Sequence, residues 1–294
     1  MENVIGLVMA AGVDDRMKSK KSKLAQELYG KPVIKRVVDA MKKAGIQEIA
    51  VIVGENREEI EEILKDEVTY LTQEKCLGTG HAIMQATDYL SSKKGRVLIA
   101  NGNIPLIMPE TIQKLVEKSQ KEEEAATVLT GIIGEPNGYG RIVRKDSKIQ
   151  EIVEEKELNQ AQQNILEVNA GMYCFDITKL VEIIGNLQAS SMGLYYLTDV
   201  IKMLTTKGEK VGGFLVEDNT EILSLNTKVQ LEMLNRILRI RINTMHMNNG
   251  VTIEDMNTTY IYDDVTIGMD TVIHPNTTIK SGVVIGEDCN IGPN

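Results

Sequence analysis

The C-terminal part of this chain repeats with a period of six residues. Isoleucine occupies every sixth position from Ile267 to Ile291, and a small or branched residue lies two positions before each isoleucine. This hexapeptide period is typical of a parallel β-helix, in which each repeat supplies one flat face and the isoleucines stack inward. A few short antiparallel strands are the alternative, although they need no such strict period. We therefore expect residues 248–294 to form a short, incomplete left-handed β-helix of five repeats, with fewer than two full turns.

The N-terminal part alternates between strand and helix patterns. Residues 4–10 form a continuous apolar run that stops at Ala11-Gly12, as expected of a parallel strand buried on both faces and leading into a loop. Further strands are predicted at 48–53, 68–71 and 97–100, and helices at 32–44, 57–64, 79–90 and 109–121. Such alternation indicates an α/β, doubly wound, Rossmann-like sheet, which binds its ligands at the carboxyl ends of the strands.

Beyond residue 125 strand patterns predominate. Strands are predicted at 125–131, 140–144, 149–154, 168–175 and 211–216, and helices at 179–184 and 195–205. Apolar residues recur at helical spacing over 227–245, which predicts an arm between two domains. The expected division is 1–226 for the sheet domain, 227–247 for the helical linker and 248–294 for the incomplete β-helix. Since the last repeat is unfinished at Asn294, we expect either a naturally shortened protein or part of a longer one.

Composition argues against several classes of protein. A net charge of −9 over 294 residues does not suit a broad nucleic-acid surface, which needs clustered Lys and Arg. The basic run from Lys18 to Lys23 is the local exception, and a solvated loop explains it except at Lys23. No apolar stretch approaches the roughly 18 residues of a membrane span. The three cysteines lack metal-ligand spacing and the chain begins directly in a strand, so we expect a reduced, cytoplasmic protein without a signal peptide.

Several short motifs then point to one family. They follow one another along the chain as Ala10-Ala-Gly12, Arg16-Met17, Lys23, Gly30-Lys31-Pro32, Leu77-Gly-Thr-Gly-His-Ala82, Gly138-Tyr-Gly-Arg-Ile142, Glu151-Ile-Val-Glu-Glu-Lys156, Asn169-Ala-Gly171, Tyr195-Tyr-Leu-Thr-Asp199 and Leu225-Asn226. Over essentially its whole length the chain resembles the bifunctional N-acetylglucosamine-1-phosphate uridylyltransferase/glucosamine-1-phosphate acetyltransferase family. The resemblance covers the uridylyltransferase domain, the helical arm and the first coils of the acetyltransferase β-helix. The family's acetyl-coenzyme A site lies in later coils, so the resemblance implies no acetyl transfer by these residues.

The resemblance implies a binding site with two halves. On the nucleotide side, the family's first loop wraps UTP with backbone amides and a glutamine contacts the base; the matching residues are Ala10, Ala11, Gly12, Gln73, Gly78 and Thr79. On the sugar side, the N-acetylglucosamine hydroxyls and amide are held by residues that match Gly138, Glu154 and Asn169. A carboxylate such as Glu154 suits sugar hydroxyls because it offers several acceptor sites. Without the other motifs, Glu154 would be interpreted as a solvated hairpin charge and Gly138 as a turn residue.

The family's reaction is an in-line attack by a sugar phosphate on the α-phosphorus of UTP, which releases pyrophosphate. Positioning and charge stabilisation by Mg²⁺, Lys and Arg dominate in such transfers. The resemblance implies that Arg16 holds the β- and γ-phosphates and that Lys23 holds the reacting phosphates. It also implies that Asn103 and Asn226 occupy the positions of the Mg²⁺ ligands.

The phosphate and metal half departs from the family pattern. The family has aspartate where this chain has Asn103, so the predicted ligands bring no negative charge, although proteins normally hold Mg²⁺ with carboxylates. The family's Lys-Gly-Thr loop is replaced by Val13-Asp14-Asp15, which removes a flexible glycine. It also places two carboxylates near the triphosphate, and the repulsion from each should weaken triphosphate binding by roughly 1 kcal/mol or more. The family's Leu-Pro before the lysine is Lys21-Ser22, so we expect Lys23 to lose its rigid approach. Leu194 stands where the family has glutamate.

Two functional hypotheses remain open at this point. One is an enzyme that forms UDP-N-acetylglucosamine from UTP and N-acetylglucosamine 1-phosphate, in which the changes are neutral or Asp14 and Asp15 recruit a displaced Mg²⁺. The other is a catalytically impaired paralogue that binds a uridine nucleotide or nucleotide sugar and acts as a sensor or scaffold. The expected partners are a uridine nucleotide and an N-acetylglucosamine phosphate, with neither nucleic acid nor membrane. The β-helix predicts a homotrimer, or a monomer–trimer mixture if the interface is small.

Overall fold

The structure, a computed structural model, describes residues 3–12 and 15–293. In the N-terminal part the strands are β1 (Val4–Met9), β2 (Glu27–Leu28), β3 (Lys31–Pro32), β4 (Ile49–Val53), β5 (Thr69–Thr72), β6 (Arg96–Asn101), β7 (Ala126–Ile132), β8 (Arg141–Lys145), β9 (Lys148–Val153), β10 (Glu167–Asp176) and β11 (Val211–Leu215). The helices are α1 (Val33–Lys43), α2 (Arg57–Leu64), α3 (Thr79–Gln85), α4 (Thr87–Ser91), α5 (Pro109–Lys121), α6 (Ile177–Ile184), α7 (Thr198–Thr206) and α8 (Lys228–Asn248). The predicted alternation of strands and helices is therefore confirmed.

Nine of the described strands form one mixed sheet. Its order is β11-β7-β10-β6-β1-β4-β5, with β8 and β9 attached beside β10. β1 pairs in parallel with β4 and β6, so that Met9 lies opposite Ile52 and Asn101. Because these three strands run in the same direction, their carboxyl ends meet at one edge of the sheet, where the following loops converge.

Helices cover both faces of the sheet, as in a doubly wound fold. One apolar layer includes α1, α2, α5 and α8, with buried residues such as Val37 and Leu115. The other layer includes α3, α4, α6 and α7, with buried residues such as Leu180. Alternate residues of β1 enter opposite layers, Val8 the first and Leu7 the second, as the two-residue repeat of a strand requires.

Two helix predictions need correction. The helix predicted over 79–90 is divided at Ala86, which ends α3 and precedes α4. The helix predicted to begin at Tyr195 begins at Thr198 instead. The Tyr195 N–H donates to the Leu77 carbonyl, and the Tyr195 carbonyl accepts from Gly80, each at 2.8 Å. These long-range bonds hold the Tyr195 backbone outside the helix, and no local sequence pattern predicts them.

The linker helix α8 begins at a reciprocal capping box. The Thr227 hydroxyl accepts from the Gln230 backbone N–H at 3.2 Å, and the Gln230 side chain accepts from the Thr227 N–H at 3.1 Å. Such caps satisfy two of the free donors at a helix start and stabilise it by about 1 kcal/mol. The buried face of α8 follows at four-residue intervals with Leu234, Leu238, Ile242 and His246, and Asn243 is buried beside them.

The C-terminal part forms coils with three short faces. Its strands are β12 (Thr252–Ile253), β13 (Tyr260–Ile261), β14 (Thr266–Ile267), β15 (Val272–Ile273), β16 (Thr278–Ile279), β17 (Val284–Ile285) and β18 (Asn290–Ile291). Parallel partners in adjacent coils are three hexapeptides apart, as are Ile261 and Ile279. The parallel β-helix is confirmed, but the prediction of fewer than two turns is wrong. β12 to β17 form two coils and β18 begins a third, because the sequence pattern missed Ile253 and Ile261, between which the loop adds two residues to the period.

The β-helix packs directly on the rest of the molecule. Ile261 and Ile273 belong to the same apolar cluster as the residues of α1 and α8. Arg36 of α1 donates to both carboxylate oxygens of Asp263, at 2.8 and 2.9 Å. These side chains are only 8% and 19% exposed. The first coil is therefore fastened to the sheet region by apolar packing and by a largely buried ion pair.

Within residues 3–12 and 15–293, no helix is both long enough and apolar enough to cross a membrane.

Candidate functional site

Two adjoining cavities open where β1 and β6 end. Their volumes are about 340 Å³ and 200 Å³. They share a wall formed by Met9, Thr79, Asn101 and Asn103. Met9 and Asn101 are the last residues of β1 and β6, so this is the sheet edge at which α/β proteins bind ligands. We call the two cavities together the cleft.

Every residue that the sequence motifs singled out as a site residue lines this cleft. The larger cavity is lined by Ala10, Ala11, Gly12, Lys23, Gln73, Gly78, Thr79 and Asn103. The smaller cavity is lined by Arg16, Gly138, Glu154, Asn169 and Asn226, and again by Thr79 and Asn103. The fold thus separates the predicted nucleotide side from the predicted sugar side and places them next to each other.

In the larger cavity, the predicted nucleotide side, the loop after β1 is held through its carbonyl groups. The Asn56 amide donates to the Ala10 carbonyl at 2.9 Å, and the Cys76 thiol donates to the Ala11 carbonyl at 3.0 Å. Gln73 is almost fully buried. Its amide nitrogen donates to the Gly78 carbonyl at 3.2 Å and lies 2.9 Å from Nδ1 of His81. His81 and Gln73 therefore help to hold this loop.

The loop that carries Gly78 and Thr79 is docked against the chain that precedes α7. Gly78 has a φ of +104°, and a Cβ at this position would lie 2.4 Å from the Tyr195 carbonyl oxygen. Only glycine combines that backbone conformation with so close an approach. The Thr79 hydroxyl accepts from the Leu197 N–H at 3.0 Å. The motif residues at 77–82 and at 195–199 thus form one structural unit.

In the smaller cavity, the predicted sugar side, Glu154 is a recessed carboxyl group. One of its oxygens accepts from the Thr198 hydroxyl at 2.8 Å. Burial raises the pKa of the Glu154 carboxyl, and the Thr198 hydrogen bond opposes this rise. Its other oxygen makes Glu154 a suitable acceptor for a hydroxyl donor in the smaller cavity.

Asn169 and Gly138 are partly engaged by neighbouring groups. The Asn169 amide nitrogen donates to the Tyr173 hydroxyl at 2.6 Å, and its amide oxygen accepts from the Gly171 N–H at 3.1 Å. Burial raises the pKa of the Tyr173 phenol, which keeps that hydroxyl protonated. The Gly138 N–H donates to the exposed Glu155 carboxylate at 2.7 Å. Asn169 therefore keeps one N–H and one lone pair of its oxygen for a contact in the smaller cavity.

A polar network joins the two cavities. Lys23 lines the larger cavity, Asn226 the smaller, and Asn103 both. The Lys23 ammonium donates to the Asn226 amide oxygen at 2.9 Å, and the Asn103 amide nitrogen donates to the same oxygen at 3.1 Å. Asn103 also donates to the Leu225 carbonyl at 3.1 Å. A lysine charge therefore lies where the two halves of the cleft meet.

The residues of this network do not fit a Mg²⁺ ion. The Asn226 oxygen already accepts from two donors, one of them cationic, and Asn103 directs its N–H groups toward oxygen atoms. Mg²⁺ in proteins is usually held by one or two carboxylates together with substrate phosphates. Across the part of the chain that the structure describes, no three or more His, Cys, Asp or Glu side chains cluster as metal ligands. The predicted weak metal site at Asn103 and Asn226 therefore lacks the negative charge that proteins normally give this ion, and its Asn226 oxygen is already engaged by two donors.

The acidic loop is described only in part. Asp14, one of the two carboxylates expected near the triphosphate, lies outside the described residues. Asp15 is exposed and begins a short 3₁₀ helix, Asp15–Met17, that also carries Arg16. Leu194, which replaces the family's glutamate, lines the larger cavity. An apolar side chain thus stands where a carboxylate was expected from the family pattern.

The expectation that Lys23 has lost its rigid approach is wrong. The Ser22 hydroxyl accepts from the Leu24 N–H at 3.1 Å and so caps the short helix that begins at Lys23. The Ser22 N–H donates to Glu59 at 3.0 Å, and the Gln26 amide donates to the Ser22 carbonyl at 3.4 Å. Side-chain hydrogen bonds fix this segment in place of the family's proline.

Sequence reasoning missed several residues of the cleft. Thr198 lies in the motif Tyr195–Asp199, so its bond to Glu154 could have been sought among the polar members of that motif. Cys76 and Tyr173 carried no local signal, because only the folded chain brings them to Ala11 and Asn169.

Comparison with known proteins identifies the family to which this chain belongs. The model of the family described as "Nucleotidyl transferase" matches residues 5–243, and that of "Bacterial transferase hexapeptide (six repeats)" matches residues 264–294. The chain is 47% identical over 295 residues to the bifunctional protein GlmU of Acetivibrio thermocellus, and 44% identical over 296 residues to that of Caldanaerobacter subterraneus subsp. tengcongensis. Both matches cover 100% of this chain and 64% of the relative, so the chain spans somewhat less than two thirds of the length of these relatives.

A solved structure shares the fold. It is described as a candidate glucose-1-phosphate thymidylyltransferase from Bacillus anthracis in complex with a sucrose, and it superimposes with a TM-score of 0.67 at 22% identity. The match covers 80% of this chain and 94% of that one. Since one family model spans residues 5–243 and the relatives match along the whole chain, the protein belongs to the nucleotidyl transferase family and is related to the bifunctional protein GlmU.

Proposed function

We propose that this protein binds UDP-N-acetylglucosamine, or a closely similar uridine nucleotide sugar, in the cleft. We further propose that it forms UDP-N-acetylglucosamine from UTP and N-acetylglucosamine 1-phosphate only slowly. Membership of the nucleotidyl transferase family supports the ligand class. Two adjoining cavities of about 340 and 200 Å³ support a ligand that has a nucleoside at one end and a sugar at the other.

The observation that carries this proposal is the network of Lys23, Asn103 and Asn226. It places one ammonium and two neutral amides at the junction of the cavities, where the phosphates of such a ligand would lie. The transfer reaction releases pyrophosphate, whose developing charge is normally stabilised by metal ions together with Lys and Arg. In this cleft Lys23 and Arg16 are left to bind and orient the phosphates. We therefore expect binding without efficient turnover.

Charge also favours the diphosphate ligand over the triphosphate. A nucleotide sugar carries fewer phosphate charges than UTP, so one lysine at the junction compensates a larger share of them. Asp15 stands beside Arg16 at the start of the same short helix. A carboxylate within a few ångströms of a triphosphate disfavours it by about 1 kcal/mol at a partly exposed site. Both effects weaken UTP more than UDP-N-acetylglucosamine.

The organisation of the whole chain belongs to the same proposal. We propose a nucleotide-binding domain over 1–226, a helical linker over 227–247 and a β-helix over 248–294. The hexapeptide match supports assembly through the β-helix into a homotrimer.

Two measurements made side by side test the proposal. Calorimetry with UDP-N-acetylglucosamine should show one binding event per chain. Pyrophosphate release from UTP, Mg²⁺ and N-acetylglucosamine 1-phosphate should stay far below the typical 1–10³ s⁻¹ of enzymes. Turnover in that range would show an ordinary uridylyltransferase, and absence of binding would refute the ligand. Repeating both with the thymidine ligands tests the choice of base.

A variant on the sugar side locates the ligand. Glu154→Gln should weaken UDP-N-acetylglucosamine by about tenfold, because an amide oxygen is a poorer acceptor than a carboxylate. It should leave the affinity for UDP unchanged, since UDP has no sugar ring beyond its phosphates. The exposed Glu157→Gln is the matched control. Equal losses for UDP and for the nucleotide sugar would show that Glu154 does not contact the sugar.

A further inference from the structure

A third cavity, of about 610 Å³, lies apart from the cleft. The β2–β3 hairpin, helix α8 and the first two coils of the β-helix form its walls. Its polar and aromatic lining includes Tyr29, Tyr260, Tyr262, Lys228, Arg236, Arg239, Asn235 and one carboxylate, Glu232. We call this cavity the tyrosine pocket. None of these residues lines the cleft.

The walls of the tyrosine pocket are held together firmly. The Arg36–Asp263 ion pair joins α1 to the loop that follows Tyr262. Gly30 lies against the Tyr262 ring so closely that a Cβ there would be 2.6 Å from a ring carbon. The rings of Tyr29 and Tyr262 meet edge to face, with centroids 5.8 Å apart. The pocket is thus preformed, because the contacts around it fix its shape.

Three phenol rings dominate the lining. Burial raises the pKa of Tyr29 to about 12, so this hydroxyl stays a neutral donor at physiological pH. The ring of Tyr260 is 41% exposed and stands at the mouth of the pocket. Tyrosine rings stack against the planar rings of ligands, and this stacking depends little on which planar ring the ligand carries. The lining therefore suits a planar, partly polar ligand.

Arg239 supplies a positive charge that forms no ion pair with any of the described residues. Its guanidinium carbon lies 5.1 Å from the centre of the Tyr260 ring, and its Nε is buried without a hydrogen-bond partner among the described residues. The pKa of the Asp255 carboxyl is lowered mainly by hydrogen bonds from Thr258 and Asn257, and the charge of Arg239 adds a smaller lowering. The buried Nε is out of a ligand's reach, but no acceptor among the described residues engages the terminal N–H groups of Arg239, and an anionic ligand in the pocket would supply one.

The other two cations of the pocket already have partners. Arg236 donates to Glu232 at 3.0 Å in an exposed pair one helical turn apart, and Lys228 donates to the Gln26 amide oxygen at 2.7 Å. Exposed pairs of this kind contribute little and exchange readily. The Arg236 charge is offset by Glu232, so Lys228 supplies the long-range attraction for an anion and Arg239 is the residue placed to bind it directly.

We infer that the tyrosine pocket is a second ligand site, for a nucleoside phosphate whose base lies against the tyrosine rings and whose phosphates meet Arg239. Its volume falls within the range of roughly 300–1,000 Å³ typical of small-molecule sites. Arginine is the residue that binds phosphate through paired N–H donors. Stacking against the tyrosine rings alone would suit any planar ligand, and Arg239 alone would suit any anion. The two features together favour a nucleoside phosphate, which carries both a planar base and an anionic group. This inference does not depend on what the cleft binds.

The test uses ADP, adenosine and inorganic pyrophosphate as separate probes in calorimetry on the full chain. ADP should bind more tightly than either fragment. Arg239→Gln should weaken ADP and pyrophosphate by about tenfold or more, and Tyr260→Ala should weaken ADP and adenosine by a similar factor. Tyr260→Ala should leave pyrophosphate unchanged. Lys207→Gln removes the same charge from an exposed position outside the pocket and is the control.

Several results would overturn the inference. Undetectable ADP binding would do so, as would pyrophosphate binding as tightly as ADP, which would indicate a simple anion site. ADP that bound equally well to the parent and to both variants would have to lie in the cleft. If Arg239→Gln does not fold, the exposed position of Tyr260 makes Tyr260→Ala the deciding variant.

Discussion

Replacing Asn103 by aspartate adds one negative charge where the two halves of the cleft meet. In the parent, Asn103 and Lys23 donate to the same Asn226 oxygen, at 3.1 and 2.9 Å. The new carboxylate would therefore lie roughly 4–6 Å from the Lys23 ammonium, within the range at which opposite charges stabilise each other. At an effective dielectric constant of about 20, that separation corresponds to an attraction of about 3 kcal/mol before solvent screening.

The same change removes two hydrogen bonds. Asn103 loses its donations to the Leu225 carbonyl and to Asn226. The Asn226 oxygen keeps the Lys23 ammonium, so the Leu225 carbonyl is the acceptor left without this donor, at a cost of about 1–3 kcal/mol. Attraction and loss are similar in size, so the variant should be about as stable as the parent without metal, within about 2 kcal/mol. Mg²⁺ should then stabilise the variant but not the parent.

The gain should appear in both binding and turnover. We expect Asn103→Asp to acquire Mg²⁺ binding in the presence of UDP-N-acetylglucosamine, measured by calorimetry. Pyrophosphate release should rise by tenfold or more, which is about 1.4 kcal/mol off the barrier. Adding Asp14→Gly and Asp15→Thr acts on the same step, so the combined gain should be non-additive.

Asn103→Leu is the matched control, because it removes the same hydrogen bonds and adds no charge. It should gain neither Mg²⁺ binding nor turnover. If the folded aspartate variant shows no more pyrophosphate release than the parent, the reasoning fails. The impairment would then lie elsewhere, with Leu194 in the larger cavity as the next residue to change.

Three further predictions concern stability and assembly. Burial raises the pKa of Glu154 above its unfolded value, so the folded protein loses stability as the pH rises from the ordinary carboxyl pKa of about 4 through the folded pKa. Glu154→Gln should therefore have a higher melting temperature than the parent at pH 7, and this gain should vanish below about pH 4. A difference in melting temperature that stays the same across pH would contradict the prediction. Asp263→Asn leaves the Arg36 guanidinium without its anion in a largely buried position. The substitution should lower the free energy of unfolding, measured by urea titration, by about 2–4 kcal/mol. A loss below about 0.5 kcal/mol, roughly that of an exposed pair, would show that this contact does not hold the β-helix. Val284 is 78% exposed on the second coil. Val284→Asp should therefore shift a monomer–trimer mixture toward monomer, as measured by light scattering. A mass of one chain for the parent at high concentration would rule out the β-helix as the assembly element.

The sequence predicted most of the sheet because its strands and helices are marked locally. Pro109 opens α5 at the expected position, and the apolar run after Asn3 becomes β1. The predictions failed where long-range contacts decide the backbone. Tyr195 is held out of α7 by bonds to Leu77 and Gly80, and the first coil of the β-helix was missed because an insertion breaks the period between Ile253 and Ile261.

The candidate site was predictable to a different degree. The motifs named residues that all lie in one cleft, because the loops after parallel strands converge at one edge of the sheet. They did not show how each residue is held. The Ser22 cap beside Lys23 and the Thr198 bond to Glu154 depend on side-chain geometry that local patterns do not contain.

The ratio of two dissociation constants tests the central claim most directly. UDP-N-acetylglucosamine and UTP should each be titrated into the parent protein, once with Mg²⁺ and once with EDTA. We predict that the nucleotide sugar binds at least tenfold more tightly in both conditions and that EDTA changes its affinity by less than twofold. At a hundred times its dissociation constant it should also add about 2.7 kcal/mol to the free energy of unfolding. Binding of Mg²⁺-UTP as tight as that of UDP-N-acetylglucosamine, with loss of both in EDTA, would contradict the account.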